Sequence, residues 1–312
     1  MYEYIFGPVP SRRLGVSLGV DLVPHKVRTL DCIYCQCGRT TNQTMTRKEY
    51  VPYDKVVAEL KHYLDNHPPP DYITFSGSGE PTLNIRIGDI IRFVKKEKPD
   101  IPVAVLSNGT LFYDRQVRMD MQYADTVLPS LDAASEPRFQ MINCPFSRLN
   151  VRKHIHGLAR FAKEFKGKIW LEIFIVPTFN DDEKELILLK RAAEMIKPDL
   201  VQLNTLDRPR NLLTIRPASS EELQQISDFW RLDNVTIIAD DPVQQKSAAY
   251  RKDIENTILE TISRRPSTAQ DLAQIAGVHI NEIHKYLGIL EKSNEVEVIQ
   301  QKRGYFYRFK TE

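Results

Sequence analysis

The sequence predicts an α/β fold in which parallel strands alternate with helices, followed by a small, mostly helical second domain. Three observations predict it. Between Leu14 and Ala239, short β-rich apolar runs alternate with longer stretches whose apolar residues recur at three- and four-residue spacing. Several of the runs end in small or polar residues, where a strand hands over to a loop. From about Tyr250 the pattern changes to short amphipathic helices. A length of 312 residues suits one domain of about 200–250 residues plus a small one.

Taken in order, the strand runs are LGVSLGVDLV, DYITFSGS, PVAVLSNG, DTVLPSLDA, IWLEIFIVPT, DLVQLNTL and NVTIIAD. Between them lie helical patterns such as Tyr53–Asn66, Ile87–Lys96, Val151–Phe165 and Asp182–Met195. Pro68-Pro69-Pro70 reads as a stiff connection into the second run. Strand followed by helix in repetition implies a parallel sheet, and periodicity alone leaves open whether it curls into a barrel or stays a doubly wound open sheet. In a barrel the polar strand ends, Ser76-Gly77, Ser107-Asn108, Ser130 with Asp132, and Asn204, should converge on one mouth. The domain boundary is expected near Asp241-Pro242, giving domains over 1–241 and 250–312. In the second, DIENTILETISRR, STAQDLAQIAG and HINEIHKYLGILEKS read as three helices, and EVEVIQ with GYFYRF as a hairpin around Gly304. That is the order of a winged helix-turn-helix.

Composition narrows the function classes less. Charged residues make up 27% and hydrophobic ones 42%, and the formal charge of +2 gives no strong polyanion signal. The opening MYEYIFGPVPSRR lacks an apolar core of signal-peptide length, and no stretch approaches the roughly 20 apolar residues that span a bilayer. The expectation is a cytoplasmic protein without a membrane partner. In that compartment structural disulfides are rare, and three of the four cysteines, Cys32, Cys35 and Cys37, crowd into six residues. Such clustering favours metal over packing; Cys144, in INCPF, reads as an inert core thiol.

The segment carrying most chemistry is KVRTLDCIYCQCG, Lys26 to Gly38, directly after the first strand run. A lone CxxC is shared by zinc knuckles and redox motifs. With an aromatic inside it, Cys32-Ile33-Tyr34-Cys35 resembles the cluster-binding loop of the radical S-adenosylmethionine (SAM) superfamily, whose usual form is C-x3-C-x2-C. The second segment, Thr74-Phe75-Ser76-Gly77-Ser78-Gly79-Glu80-Pro81-Thr82, resembles the GGEP motif of the same superfamily. Read by itself it is a tight Gly/Ser turn, although phosphate loops end in Lys-Ser/Thr rather than in a carboxylate. The opening Gly7-Pro8-Val9-Pro10-Ser11-Arg12-Arg13-Leu14-Gly15, with Ser17-Leu18-Gly19-Val20-Asp21 and the run SLDAAS, is similar to a family described by similarity to the wyosine-base synthases of tRNA, many with a winged-helix tail. The resemblance extends from about Phe6 to Phe309.

The resemblance implies a partial (β/α)6 TIM-like barrel holding a [4Fe–4S] cluster and SAM. Three thiolates on four irons leave one iron to be chelated by the amino and carboxylate groups of SAM. Tyr34 would lie against the adenine. Ser76, Gly77, Gly79, Glu80 and Pro81 would face the SAM ammonium group. Ser107, Asn108, Ser130, Asp132 and Glu172 would serve its carboxylate and ribose, with an ordinary paired barrel carboxylate the competing reading of Glu172. The implied reaction is one-electron reduction of the SAM sulfonium to methionine and a 5′-deoxyadenosyl radical, which abstracts hydrogen from a substrate. Such chemistry needs an electron donor such as flavodoxin or ferredoxin. The rival expectation is a cluster-free binding or regulatory protein that uses its winged helix.

The chain departs from the motif at Arg28, four residues before Cys32, where the first cysteine should stand. A guanidinium stays protonated and offers only donors, so it cannot be an ordinary iron ligand. Three explanations stay open: Cys37 supplies the third thiolate, the cluster has been lost, or His25 ligates iron in its place. For the C-terminal domain, nucleic acid is the obvious partner. Residues 250–312 nevertheless hold ten Lys plus Arg against nine Asp plus Glu, a poor electrostatic footprint. Only Lys302, Arg303 and Arg308, interleaved with Tyr305, Phe306 and Tyr307, suit a nucleic-acid backbone and its bases.

Overall fold

A computed structural model describes residues 2–11, 13–35, 39–77, 79–206, 215–238, 252–264, 266–301 and 304–310. The chain opens on an antiparallel pair, β1 (Ile5–Ser11) and β2 (Gly15–Val20). A two-residue ladder follows, β3 (Val27–Arg28) with β4 (Asn42–Gln43). Then come α1 (Tyr53–Asn66), β5 (Tyr72–Phe75), α2 (Ile87–Glu97), β6 (Val103–Ser107), α3 (Arg115–Asp120), β7 (Thr126–Pro129) and a single turn α4 (Glu136–Arg138). A π-helical turn over Phe139–Asn143 leads to α5 (Val151–Glu164), β8 (Lys168–Phe174), α6 (Glu183–Ile196), β9 (Leu200–Asn204), α7 (Ser220–Trp230) and β10 (Val235–Ile237).

The large sheet has the order β1-β2-β5-β6-β7-β8-β9-β10, and every pair from β2 to β10 is parallel. The order never reverses, so the doubly wound alternative is excluded: that topology winds outward in both directions from a switch point. All seven strand runs read from the sequence are present. Strand β1 is an addition, because its Gly7-Pro8 and Pro10 break the alternation by which strands are recognised. A sheet covered by helices must be apolar throughout, and Ile73, Phe75, Val103, Val105 and Val127 are fully buried.

The helices owe their registers to local rules. Asn150 caps α5 through the amide of Lys153 at 2.8 Å, Asp182 caps α6, and Ser219 and Glu222 form a capping box on α7. Trp230, at the end of α7, is fully buried and donates its indole N–H to the Leu186 carbonyl at 3.0 Å, which ties α7 to α6. Helices α3 and α7 were not read from the sequence; α3 is too short to establish a period.

The C-terminal part contains α8 (Lys252–Arg264), β11 (Ser267–Thr268), α9 (Ala269–Ala276), α10 (Ile280–Lys292), β12 (Val296–Gln301) and β13 (Gly304–Phe309). Its sheet order is β11-β13-β12, and its core gathers Ile258, Ile262, Leu272, Ile283, Leu287 and Leu290. The three helices and the hairpin lie where the sequence puts them; the short strand β11 is new. The expected boundary at Asp241-Pro242 lies outside the described residues. Among the described residues no helix is long and apolar enough to cross a membrane.

Candidate SAM site at the mouth of the parallel sheet

The cysteine loop is held by the end of the π-helical turn and the residues just after it. The amide of Asp31 donates to the Asn143 carbonyl at 3.0 Å, that of Ile33 to Ile142 at 2.9 Å, and that of Phe146 to Thr29 at 2.9 Å. The Cys35 amide closes a tight turn on the Cys32 carbonyl at 3.0 Å. Cys32 is paired through its sulfur with the Asn143 amide at 3.4 Å, and burial, aided by the nearby Asp132 carboxylate, pushes its thiol well up. The guanidinium of Arg28, on β3, donates to the sulfur of Cys35.

Tyr34 projects from this turn and stacks on Phe174 with ring centroids 4.1 Å apart and 11° between planes. Its hydroxyl donates to Asp132, and burial raises its pKa well above the usual phenol value. Asp132 is 3% exposed and also accepts from Asn143 Nδ2 at 2.7 Å and from the Phe174 amide at 3.1 Å. Burial raises its pKa to about 6 against those hydrogen bonds. Tyr34, Asp132, Asn143 and Cys32 therefore form one connected network under the cysteine loop.

Glu80 is the second hub. Its carboxylate, 3% exposed, accepts from Thr82 Oγ1 at 2.6 Å, Ser107 Oγ at 2.7 Å, the Asn108 amide at 2.8 Å and the Thr82 amide at 3.1 Å. Burial raises its pKa while these donors pull it back down. Pro81 is buried in the turn that follows. Asn108 completes an Asx turn with Thr110 and donates from Nδ2 to Thr29 at 2.8 Å, next to Arg28. The ends of β5 and β6 and the start of the cysteine segment are thus braced on one carboxylate. Ser76 donates its amide to Val20, the last residue of β2, at 3.1 Å, and Glu80 donates its own to Val27, the first of β3, at 3.1 Å. Gly77 has φ 144°, and a Cβ there would sit 2.4 Å from the Asp21 carboxylate. A Cβ on Gly79 would sit 2.8 Å from Val23. The close approach these glycines permit is to the segment after β2.

Ser130 bridges to Glu172, and its amide donates to the Ser107 carbonyl at 3.1 Å. Glu172 is drawn away from the others: Arg13 binds its carboxylate, Arg13 also donates to Gln202 at 3.1 Å, and Asn204 approaches at 3.4 Å. Geometry thus favours the paired-carboxylate reading of Glu172. Arg13, Thr29 and Asn143 were missed as site residues. Arg13 sat in the quoted opening motif, but nothing local marked its partner. Cys144, expected in the core, is half-buried instead, with φ 42° and its carbonyl accepting from Gln43 at 2.6 Å.

Among the described residues two thiols, not three, stand where a cluster would be held. Cys32 and Cys35 stand on one turn, but a permanently charged guanidinium lies against the second sulfur. His25 stands near Lys26, Arg28 and His279, and burial first, then these charges, lower its pKa to about 4. Among the described residues no three His, Cys, Asp or Glu side chains gather closely enough to hold a metal. Cys37 lies outside the described residues. The expected convergence of strand ends is present: Ser76, Gly77, Glu80, Ser107, Asn108, Ser130 and Asp132 all stand at the C-terminal ends of adjacent parallel strands.

Known proteins match this arrangement. The profile of the Radical SAM superfamily matches residues 29–189. GTPase Obg of Brachyspira hyodysenteriae is 37% identical over 294 residues, which cover 94% of this chain and 43% of that protein, so the chain spans less than half of that relative. A UPF0026 protein of Methanocaldococcus jannaschii is 33% identical over 223 residues, 71% of this chain and 69% of that protein. Among solved structures, a radical SAM methyltransferase from Sphaerobacter thermophilus has a TM-score of 0.56 at 16% identity, covering 75% of this chain and 69% of that one. Streptococcus suis SuiB, solved bound to S-adenosylmethionine, has a TM-score of 0.52 at 14% identity, covering 70% and 49%. The two structures share the fold; profile and relatives carry the kinship. With its strand-end mouth and cysteine turn, the chain belongs to the radical SAM superfamily, among the UPF0026 proteins.

Proposed function

We propose that this protein binds SAM at the mouth of its parallel sheet and serves radical SAM-type chemistry on a nucleic-acid substrate, with a [4Fe–4S] cluster to which Cys32, Cys35 and Cys37 would supply the thiolates. The observation that carries the reading is the convergence of the Gly77 to Glu80 loop, Ser107-Asn108 and Asp132 beside the Cys32–Cys35 turn. A cluster of this kind supplies the electron that cleaves SAM to methionine and a 5′-deoxyadenosyl radical; the chain's own share is to hold SAM and exclude water. A flavodoxin- or ferredoxin-type donor would bring that electron. The similar opening from Gly7 to Asp21 supports a wyosine-synthase-like assignment.

The C-terminal unit supports a winged-helix reading by its three helices and hairpin. Its hairpin, rather than α10, is the surface assigned to nucleic acid, because the first turn of α10 packs against the barrel and Asn281, Glu282 and Ile283 are buried. Arg308 is paired with Glu297 across the hairpin, which lowers its value as a phosphate contact. Lys302 and Arg303 lie outside the described residues. If the hairpin binds RNA, replacing both with alanine weakens binding and flattens its salt dependence; unchanged titrations would end this part of the reading.

A second reading rests on the Arg28–Cys35 contact: a cluster-free member of the superfamily acting as a SAM-binding or regulatory module. Anaerobic reconstitution separates the two. Near-stoichiometric iron and sulfide with 5′-deoxyadenosine formation from SAM support the enzyme. SAM binding without iron supports the module, and absence of SAM binding overturns both.

A further inference from the structure

The end of β2, with Asp21 just after it, and the start of α10 meet across the boundary between barrel and C-terminal unit. Phe6, on β1, faces Gly19 on β2, and a Cβ on Gly19 would lie 2.1 Å from the Phe6 ring. The missing side chain is what lets the ring lie against β2. The same ring stacks on His279, with centroids 5.1 Å apart and 19° between planes. His279 is the N-cap of α10, and its Nδ1 accepts from the Asn281 amide at 3.2 Å. The proton of the neutral imidazole is then on Nε2, which points toward an Asp21 carboxylate oxygen 4.0 Å away. Asn281 Nδ2 donates to that same oxygen at 2.9 Å. Asp21 and Asn281 are each 8% exposed, so the bond is shielded from water.

Asp21 also reaches the other way. Its carboxylate fills the space where a Cβ on Gly77 would project, and Gly77 opens the loop that leads to Glu80. One carboxylate therefore has the C-terminal unit on one side and the SAM edge on the other. A buried carboxylate that loses one of its donors is held less firmly. The contact that Asp21 makes at Gly77 is loosened with it.

We propose that Asn281 and His279 are positioning residues for the SAM site: by holding Asp21 against Gly77 they set the loop edge, so that docking of the C-terminal unit and SAM binding strengthen each other. This rests on the SAM-binding reading above. Coupling of this kind is reciprocal, so SAM must tighten the docking by the same factor by which docking tightens SAM.

The test uses the full chain. SAM is titrated by calorimetry into the unaltered protein and into Asn281→Ala, and backbone hydrogen exchange is followed with and without SAM. The expected results are about tenfold weaker SAM binding in Asn281→Ala, partial recovery in Asn281→Gln, which keeps the amide donor, and slower exchange of the first turn of α10 when SAM binds the unaltered chain. A merely structural role would lower the melting temperature and leave SAM affinity within twofold, which overturns the proposal. So does exchange at α10 that ignores SAM, a measurement that needs no variant. Failure of the unaltered chain to bind SAM overturns the SAM reading and this coupling together; binding undiminished in Asn281→Ala overturns the coupling alone.

Discussion

The guanidinium of Arg28 lies against the sulfur of Cys35. A residue that cannot ligate iron thus stands within reach of one that can. What that sulfur meets is a permanently charged donor rather than a second ligand.

Arg28→Cys should complete the C-x3-C-x2-C loop. After anaerobic reconstitution, iron and sulfide should rise to near-stoichiometric values with the absorbance and paramagnetic signature of a [4Fe–4S] centre. If Cys37 already serves, Cys37→Ala should abolish iron binding in the unaltered chain and Arg28→Cys should restore it. Neither protein binding iron would remove the cluster from any account of this loop.

Glu80→Gln should damage both stability and SAM binding. An amide presents donors where Thr82, Ser107 and Asn108 already donate, leaving at least one buried N–H or O–H without an acceptor. The expected destabilisation is about 1–3 kcal/mol by urea unfolding. SAM affinity should fall, because Ser107 and Asn108 lose their common brace.

Asp132 predicts a pH dependence. Its carboxyl holds its proton up to about pH 6 in the folded protein, against 3.8 as the ordinary value. Between these values the folded state binds more protons than the unfolded one, so stability falls as pH rises through the window. The contribution is present below about pH 4 and lost above 6, and Asp132→Asn should flatten that part of the curve. Urea midpoints measured from pH 4 to pH 7 check it; a slope unchanged by the substitution would assign the dependence elsewhere.

Arg13→Ala should leave Glu172 without its cation inside the barrel. Both side chains keep some exposure, 15% and 18%, so the expected cost is about 1–3 kcal/mol, below that of breaking a fully buried pair. Adding Glu172→Gln should return part of that loss. A double variant no more stable than Arg13→Ala would show that the arginine acts through Gln202 or packing.

By itself the sequence determined the alternation of strands and helices, the polar strand ends, the cysteine turn and the helical C-terminal unit. Each is a local matter of period, capping or adjacency, written within about a dozen residues. Glu80 was legible for the same reason, standing in a short motif beside its glycines. Only the tertiary structure decided the sequential sheet order, the added antiparallel β1, and the withdrawal of Glu172 to Arg13, 159 positions away. It alone joined Asn143 to Asp132 and Cys32, and Asn281 to Asp21 across 260 positions. Buried polar groups must find partners wherever the fold brings them, and that demand leaves no periodic trace along the chain.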